Sequence, residues 1–244
     1  MATVGLIGLG RMGGNMARRW QQPGVNVIAF NRNHDVTKSL ATECGLVAAT
    51  SIEQLVQQLP APRVVWLMLP AGAVTQQHID AVLPLLSAGD VLVDGANSYF
   101  KDSLARAEKI HQNTSVQYVD AGVSGGIWGL QNGYCIMAGG SAAAIKTITP
   151  LLQTLAPAAD RGWLHTGPTG SGHFTKMVHN GIEYGMMQAL SEGFSLLKAR
   201  EDFQLDLAAI AELWRHSSVV RSWLLELAAD ASALWKYAGL ALTA

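Results

Sequence analysis

Charge is what this sequence has least of. Only 14% of its 244 residues are Asp, Glu, Lys or Arg, and the formal net charge is -1. A chain so lightly and evenly charged has no general attraction for nucleic acid or an anionic membrane, and neither partner is expected. Cysteine is nearly absent as well. Cys44 and Cys135 lie far apart and form no CxxC pair, which argues against a disulfide framework and gives no reason to expect a metal site. No apolar run approaches the roughly 20 residues that cross a bilayer. Met1-Ala-Thr runs straight into Val4-Gly-Leu-Ile-Gly8, leaving no room for the basic, apolar and small-residue stretches of a presequence. The expectation is a cytoplasmic protein with reduced thiols. What is plentiful is apolar surface: 49% of residues are hydrophobic, enough for a full core in one large or two modest domains.

The first apolar stretch, Val4 to Leu9, leads into Gly8-Leu9-Gly10-Arg11-Met12-Gly13 and then a helix-like run from Met12 to Trp20. A GxGxxG turn between a strand and a helix is the context for dinucleotide binding. The first glycine permits the tight turn, the second lets backbone approach a pyrophosphate, and the third allows close packing of helix on strand. The helix amino terminus adds unpaired N-H groups and a positive dipole end. The next strand, Val25 to Phe30, ends at Asn31-Arg32-Asn33, where an NAD enzyme would carry a carboxylate for the adenosine ribose. With Asn31 there instead and a guanidinium at Arg32, a 2′-phosphate is accommodated, which points to NADP with NAD possible. The alternative is that Arg32 stacks on the adenine and Asn31 bonds an unphosphorylated ribose.

Arg63 to Leu69 and Asp90 to Asp94 are near-continuous apolar runs, as strands buried on both faces of a parallel sheet should be. Helix-like segments near 33–43, 51–58, 74–86 and 101–112 lie between or after them, and a strand at Tyr134–Ala138 and a helix from Ser141 to about Leu155 follow. The pattern predicts a doubly wound, Rossmann-type parallel sheet over residues 1–166, with ligands at the strands' carboxyl ends. Leu69-Pro70-Ala-Gly72, Gly95-Ala-Asn97-Ser98 and Ala121-Gly-Val-Ser124-Gly125-Gly126 are read as loops rimming that site. Ordinary turns use the same residue types. Gly167-Pro-Thr-Gly-Ser-Gly172 then punctuates the chain, and beyond it only helices are predicted: about 173–198, 206–216 and 218–230. Residues 167–244 are thus read as an all-α domain. Its first helix contains Lys176-Met-Val-His179-Asn180-Gly-Ile-Glu183-Tyr184, polar residues at spacings of three and four that share one face. Phe174, Met177, Val178, Ile182 and Met186 make an opposing apolar face, expected to pack into a core. The polar face then meets either solvent or a ligand.

Four motifs now resemble a known family. They are Gly8 to Gly13, Asp94-Gly-Ala-Asn97-Ser98, Gly122-Val-Ser124-Gly125-Gly126 and, most specifically, Gly172-His-Phe-Thr-Lys176-Met-Val-His179-Asn180-Gly-Ile-Glu183-Tyr184-Gly185. These resemble 6-phosphogluconate dehydrogenase, with Ser124-Gly-Gly-Ile-Trp128-Gly closest to its short bacterial form. The resemblance implies oxidative decarboxylation of 6-phosphogluconate to ribulose 5-phosphate in the pentose phosphate pathway, and a homo-oligomer, dimer or tetramer. That chemistry needs a base for the hydroxyl proton and an acid for the enediol left after carbon dioxide departs. Lys176 and Glu183 suit the two roles, and the resemblance assigns them the same way. It further implies that Asn97 and Asn180 hold hydroxyls and cofactor in register, that Ser124, Gly125 and Gly126 bind the carboxylate end, that His179 contacts the sugar acid, and that Tyr184 and Arg221 bind the phosphate.

The chain also departs from the family. Family members run on after the Arg221 helix with a Gly-rich, basic segment and more helices, and residues 231–244 match none of it. The resemblance therefore implies a helical domain incomplete relative to the family, short of a basic phosphate contact and some subunit packing. Two other readings stand beside it. A β-hydroxyacid dehydrogenase of the 3-hydroxyisobutyrate type would share the glycine loop, the Ser-Gly-Gly loop, the lysine and the asparagine, without needing Glu183-Tyr184 or Arg221. A non-catalytic NADP-binding remnant would be consistent with the shortened end.

Overall fold

The computed structural model describes residues 2–231. The elements run β1 (Thr3–Ile7), α1 (Arg11–Gln21), β2 (Asn26–Phe30), α2 (His34–Cys44), β3 (Val47–Ala48), α3 (Ile52–Gln57), β4 (Val64–Leu67), α4 (Ala73–Val82) and β5 (Val91–Asp94). They continue through α5 (Phe100–Asn113), β6 (Gln117–Ser124), α6 (Gly129–Asn132), β7 (Cys135–Gly139), α7 (Ala142–Leu155), β8 (Trp163–Gly167), α8 (Ser171–Ala199) and α9 (Leu207–Trp214). Residues 223–231 are helical too. The eight strands form one sheet in the order β3-β2-β1-β4-β5-β6-β7-β8. All neighbours are parallel except β6 and β7.

The order follows from burial. β4 and β5 are buried at every position, so helices must cover both sheet faces. Successive residues point to opposite faces, and the core divides accordingly. Leu6, Val27 and Trp66 pack with Met16, Trp20, Leu40 and Leu152 of α1, α2 and α7 on one side. Ile7, Ile28 and Val65 pack with Leu55, Ile79 and Ile110 of α3, α4 and α5 on the other. Trp20 and Trp66 meet edge to face at 5.4 Å, and Trp20 Nε1 donates to the Leu151 carbonyl at 3.0 Å. Side-chain caps fix the starts of several helices, among them Asn33 for α2, Ser51 for α3, Ser141 for α7 and Asp206 for α9. Cys44 and Cys135 are free thiols. No helix of the described residues is long and apolar enough to cross a membrane.

Two compact units divide at Val178/His179, inside α8. In the second, Phe194 and Trp214 lie 5.5 Å apart, and Arg215 bonds both Glu212 and Asp230 at 3.0 Å. The predicted helix over 218–230 begins later. Leu225 N donates to Ser222 Oγ at 3.2 Å, so Ser222 caps a helix starting at 223. Arg221 consequently lies in the preceding turn, not in the helix.

Candidate active site

At the carboxyl end of β1 the glycine loop has the geometry its spacing calls for. Gly8 sits at φ +98°, where a side chain would also overlap the Met68 carbonyl. A Cβ on Gly13 would overlap the carbonyl oxygen of Gly8, whereas Gly10 faces open space. The amino terminus of α1 has no side-chain cap and no acidic residue in its first turn, so its N-H groups can receive an anion. Beside it lies a cleft of about 520 Å³ lined by Leu9, Gly10, Arg11, Arg18 and Asp35. The Arg18 guanidinium on its wall grips Glu43 through two bonds of 2.6 and 2.7 Å. These features fit the pyrophosphate of a dinucleotide. Met12 is half-buried behind the loop, and Leu69 packs toward Gly8.

At the end of β2, Asn31 Oδ1 accepts from Leu9 N at 3.1 Å, and Asn31 Nδ2 donates to the Asn33 carbonyl at 3.1 Å. The Asn31 amide thus ties the glycine loop to the next strand. Asn33 caps α2. Arg32 is exposed.

The β4 and β5 loops are joined by a network that sequence reasoning missed. Arg106 of α5, 7% exposed, donates to Asp94 Oδ2 at 2.9 Å, to Ser98 Oγ at 3.1 Å and to Gln76 Oε1 at 3.0 Å. Its remaining nitrogen points at the Gly72 carbonyl, 3.4 Å away. Asp94 also accepts from Ser98 Oγ at 3.0 Å, Tyr118 OH at 2.9 Å and Ala96 N at 3.1 Å. Burial pushes the Tyr118 hydroxyl well above its ordinary range, and the Asp94 charge adds to the effect. The network holds both loops still, with Asn97 exposed between buried Ala96 and Ser98. A signal was present: Arg106 falls among the buried positions Ser103, Ala107 and Ile110 of α5, an arginine on a core-facing stripe.

Strand β6 continues through Ser124, so Ala121 to Ser124 are strand and not loop. Hydrogen bonding to antiparallel β7, with Ser124 opposite Cys135, extends it. The turn proper is Gly125 and Gly126, at φ +121° and +53°. The Ile127 carbonyl beyond it accepts from Asn15 Nδ2 at 3.2 Å, bringing this turn to α1. Pro70 is exposed, and its carbonyl accepts from Thr75 Oγ1 at 2.8 Å.

The start of α8 reverses the expected faces. Lys176 is only 7% exposed and His173 1%, whereas the supposedly core-facing Phe174, Met177, Val178, Ile182 and Met186 are between 40% and 60% exposed. The physical reason lies in β6. Asp120 accepts from Gly170 N at 2.6 Å and His173 N at 2.7 Å, and glycines at 122 and 172 allow helix and strand to touch. That fixes the lysine side inward. Burial pushes the Asp120 carboxyl above its usual range, while the two N-H bonds and His173 pull it back. In the second unit, His179 Nδ1 lies 3.3 Å from Asn180 Oδ1 and 3.7 Å from Glu183 Oε2. The Glu183 side chain is 40% exposed. Tyr184 is exposed, and Arg221 lies 3.9 Å from Glu226.

A glycine turn at the carboxyl edge of a doubly wound sheet, opening onto a helix terminus free of acidic groups, defines a Rossmann-type dinucleotide-binding protein. Residues 3–166 match the NAD binding domain of 6-phosphogluconate dehydrogenase, and residues 172–233 match that enzyme's C-terminal domain. The chain belongs to the 6-phosphogluconate dehydrogenase family. It is 42% identical over 228 residues to the NAD(+)-dependent, decarboxylating enzyme of Haloferax volcanii, covering 93% of this chain and 74% of that one. It is 37% identical over 233 residues to the NADP(+)-dependent enzyme of Bacillus subtilis, covering 93% and 49%. Among solved structures it resembles the Plasmodium falciparum enzyme, studied with NADP+ and with 6-phosphogluconate, at a TM-score of 0.87 and 30% identity, covering 95% of this chain and 51% of that one. The chain therefore spans about three quarters of the shorter relative and about half of the longer ones.

Proposed function

We propose that the chain catalyses oxidative decarboxylation of 6-phosphogluconate to ribulose 5-phosphate. The observation that carries this reading is Lys176, 7% exposed and with its stem against Gly122 of β6, two residues before Ser124, with Glu183 seven residues further along the same helix. Two turns separate them by roughly 10 Å along the axis, the scale of a six-carbon acid. A bound nicotinamide dinucleotide would accept the hydride. Lys176 takes the proton from the substrate hydroxyl as the hydride leaves, giving a β-keto acid that loses carbon dioxide. Glu183 then protonates the enediol carbon. Ser124, Gly125 and Gly126 hold the carboxylate end. Asn97, His179 and Asn180 orient the hydroxyls, and Tyr184 and Arg221 receive the phosphate, the latter through its two-pronged guanidinium.

Arg32 favours NADP. With the Asn31 amide engaged by Leu9 and Asn33, the exposed guanidinium is the side chain at this corner suited to a 2′-phosphate. Functionally, residues 1–166 hold the dinucleotide, and 167–244 serve substrate and self-association. Exposed Ile182, Met186, Met187, Leu213 and Trp223 support a homo-oligomer. A sugar acid phosphate does not cross a bilayer unaided, so the reaction is assigned to the cytoplasm.

The test supplies 6-phosphogluconate with NADP and then with NAD, following reduced cofactor and carbon dioxide together. One carbon dioxide per reduced cofactor, with the lower KM for NADP, is expected. Reduced cofactor without carbon dioxide would point to a simple β-hydroxyacid dehydrogenase, and cofactor binding without turnover would reject the catalytic reading.

A further inference from the structure

Asp120, Gly122 and Ser124 alternate along β6, and so point to one face of the strand. Each meets a different part of the candidate site. Asp120, fully buried, bonds the N-H groups of Gly170 and His173. It does for α8 what a capping side chain does, but from a strand fifty residues away in sequence. The contact is close because Gly172 has no side chain: a Cβ there would overlap the carbonyl oxygens of Asp120 and Met137. Ser103 Oγ of α5 and His173 Nδ1 add a 2.7 Å bond that fixes rotation of the first turn. One turn on, the stem of Lys176 lies where the side chain of residue 122 would be. A Cβ on Gly122 would overlap the Lys176 Cβ and stand 3.0 Å from its Cγ. Two residues further, about 7 Å along the strand, Ser124 begins the Ser-Gly-Gly turn.

We infer that Asp120 and Gly122 are positioning residues for Lys176. Strand β6 serves as a ruler that sets the amine at a fixed distance from Ser124: Asp120 holds the helix end, and the bare backbone at Gly122 seats the lysine stem. Neither residue touches substrate. The inference rests on the reading of Lys176 as the base, and its test has one arm that depends on turnover and one that does not.

Gly122→Ala forces the lysine stem off the strand. With 6-phosphogluconate carrying deuterium at C3, kcat is expected to fall about 100-fold, as an ångström of misplacement does. The isotope effect on kcat should rise, while KM for the cofactor stays within about two-fold of the parent's. Loss of folded protein alone would lower kcat with isotope effect and KM unchanged. Asp120→Asn, which keeps one acceptor but turns the other into a donor facing an N-H, guards against misfolding at 122. It should move the same quantities in the same direction by about ten-fold in kcat, one lost hydrogen bond to a charged group. The second arm measures reductive methylation of Lys176 by peptide mass spectrometry. The amine of the largely buried Lys176 should react at least about five-fold faster in both variants, the scale of a modest local destabilisation. If the unsubstituted chain does not turn over 6-phosphogluconate, the proposed activity fails and the labelling arm still decides the positioning. Unchanged labelling in both variants, or an unchanged isotope effect in active ones, overturns the inference.

Discussion

Helix α8 passes through two different settings, and the contrast separates the two halves of the proposed reaction. Up to Val178 it belongs to a unit that fully buries Trp20, Trp66, Tyr118 and Tyr134, and its first turn is held by Asp120, Gly122 and Gly172. From His179 onward it belongs to a unit whose buried apolar residues among those described are Ala211, Leu225 and Ala229. Those described residues contribute little, since each fully buried leucine is worth about 1.5–3 kcal/mol. The proposed base therefore sits against a large core, and the proposed acid in a unit with three buried apolar residues among those described. In the proposed reaction the oxidation step would have its geometry built into the sheet, whereas protonation of the enediol would rely on a helix whose apolar side chains are exposed.

The contrast can be broken or sharpened by experiment. The largest expected effect is on the rigid side. Arg106→Leu strands the Asp94 carboxylate and should lower the unfolding free energy of the sheet unit by about 3–5 kcal/mol, as removal of one partner of a buried ion pair does. Urea unfolding followed by tryptophan fluorescence measures it, and a loss under about 1 kcal/mol would mean that the network does not hold the loops. Next comes Glu183→Gln, expected to slow steady turnover about 100-fold while leaving a rapid first burst of reduced cofactor, because the acid acts after the hydride has gone. Stopped-flow absorbance separates the two, and loss of the burst would move Glu183 into the oxidation step. The smallest effect is a pH dependence confined to the sheet unit. Burial raises Tyr118 well above the ordinary phenol range and Tyr134 to about 12. Both phenols keep their protons in the folded chain where the unfolded chain has lost them, so stability falls as pH rises from about 10 toward 12, by up to about 1.4 kcal/mol per pH unit for each. Absorbance titration near 295 nm should find these two the last tyrosines to ionise.

Much of the sheet was legible because burial on both faces leaves a one-dimensional trace. The runs at β1, β2, β4 and β5 could be read as strands, and the GxGxxG spacing located the turn whose crowding is now visible at Gly8 and Gly13. Less could be read where pairing decides structure. β3 has two residues and β8 is a partly exposed edge, so neither shows an apolar run. Ala121 to Ser124 contain the small residues of a turn, yet β7 pairs with them and keeps them extended. The faces of α8 were assigned by hydrophobicity, but contacts from a distant strand orient its first turns and bury Lys176 instead of Met177. Long-range partners such as Asp120 and Tyr118 leave no local spacing to read, and Arg106 leaves only its place on the core-facing stripe of α5. Of the stretch 231–244, read from sequence as departing from the family, residues 232–244 lie outside the described residues.

The most direct test of the account is Lys176→Met. Calorimetry should find NADP and 6-phosphogluconate bound within a few-fold of the parent's affinity, while formation of both reduced cofactor and carbon dioxide falls by about 1,000-fold or more, the upper part of the range for loss of a general base. Turnover near that of the parent chain, with both ligands bound, would contradict the assignment of the base on which the mechanism stands.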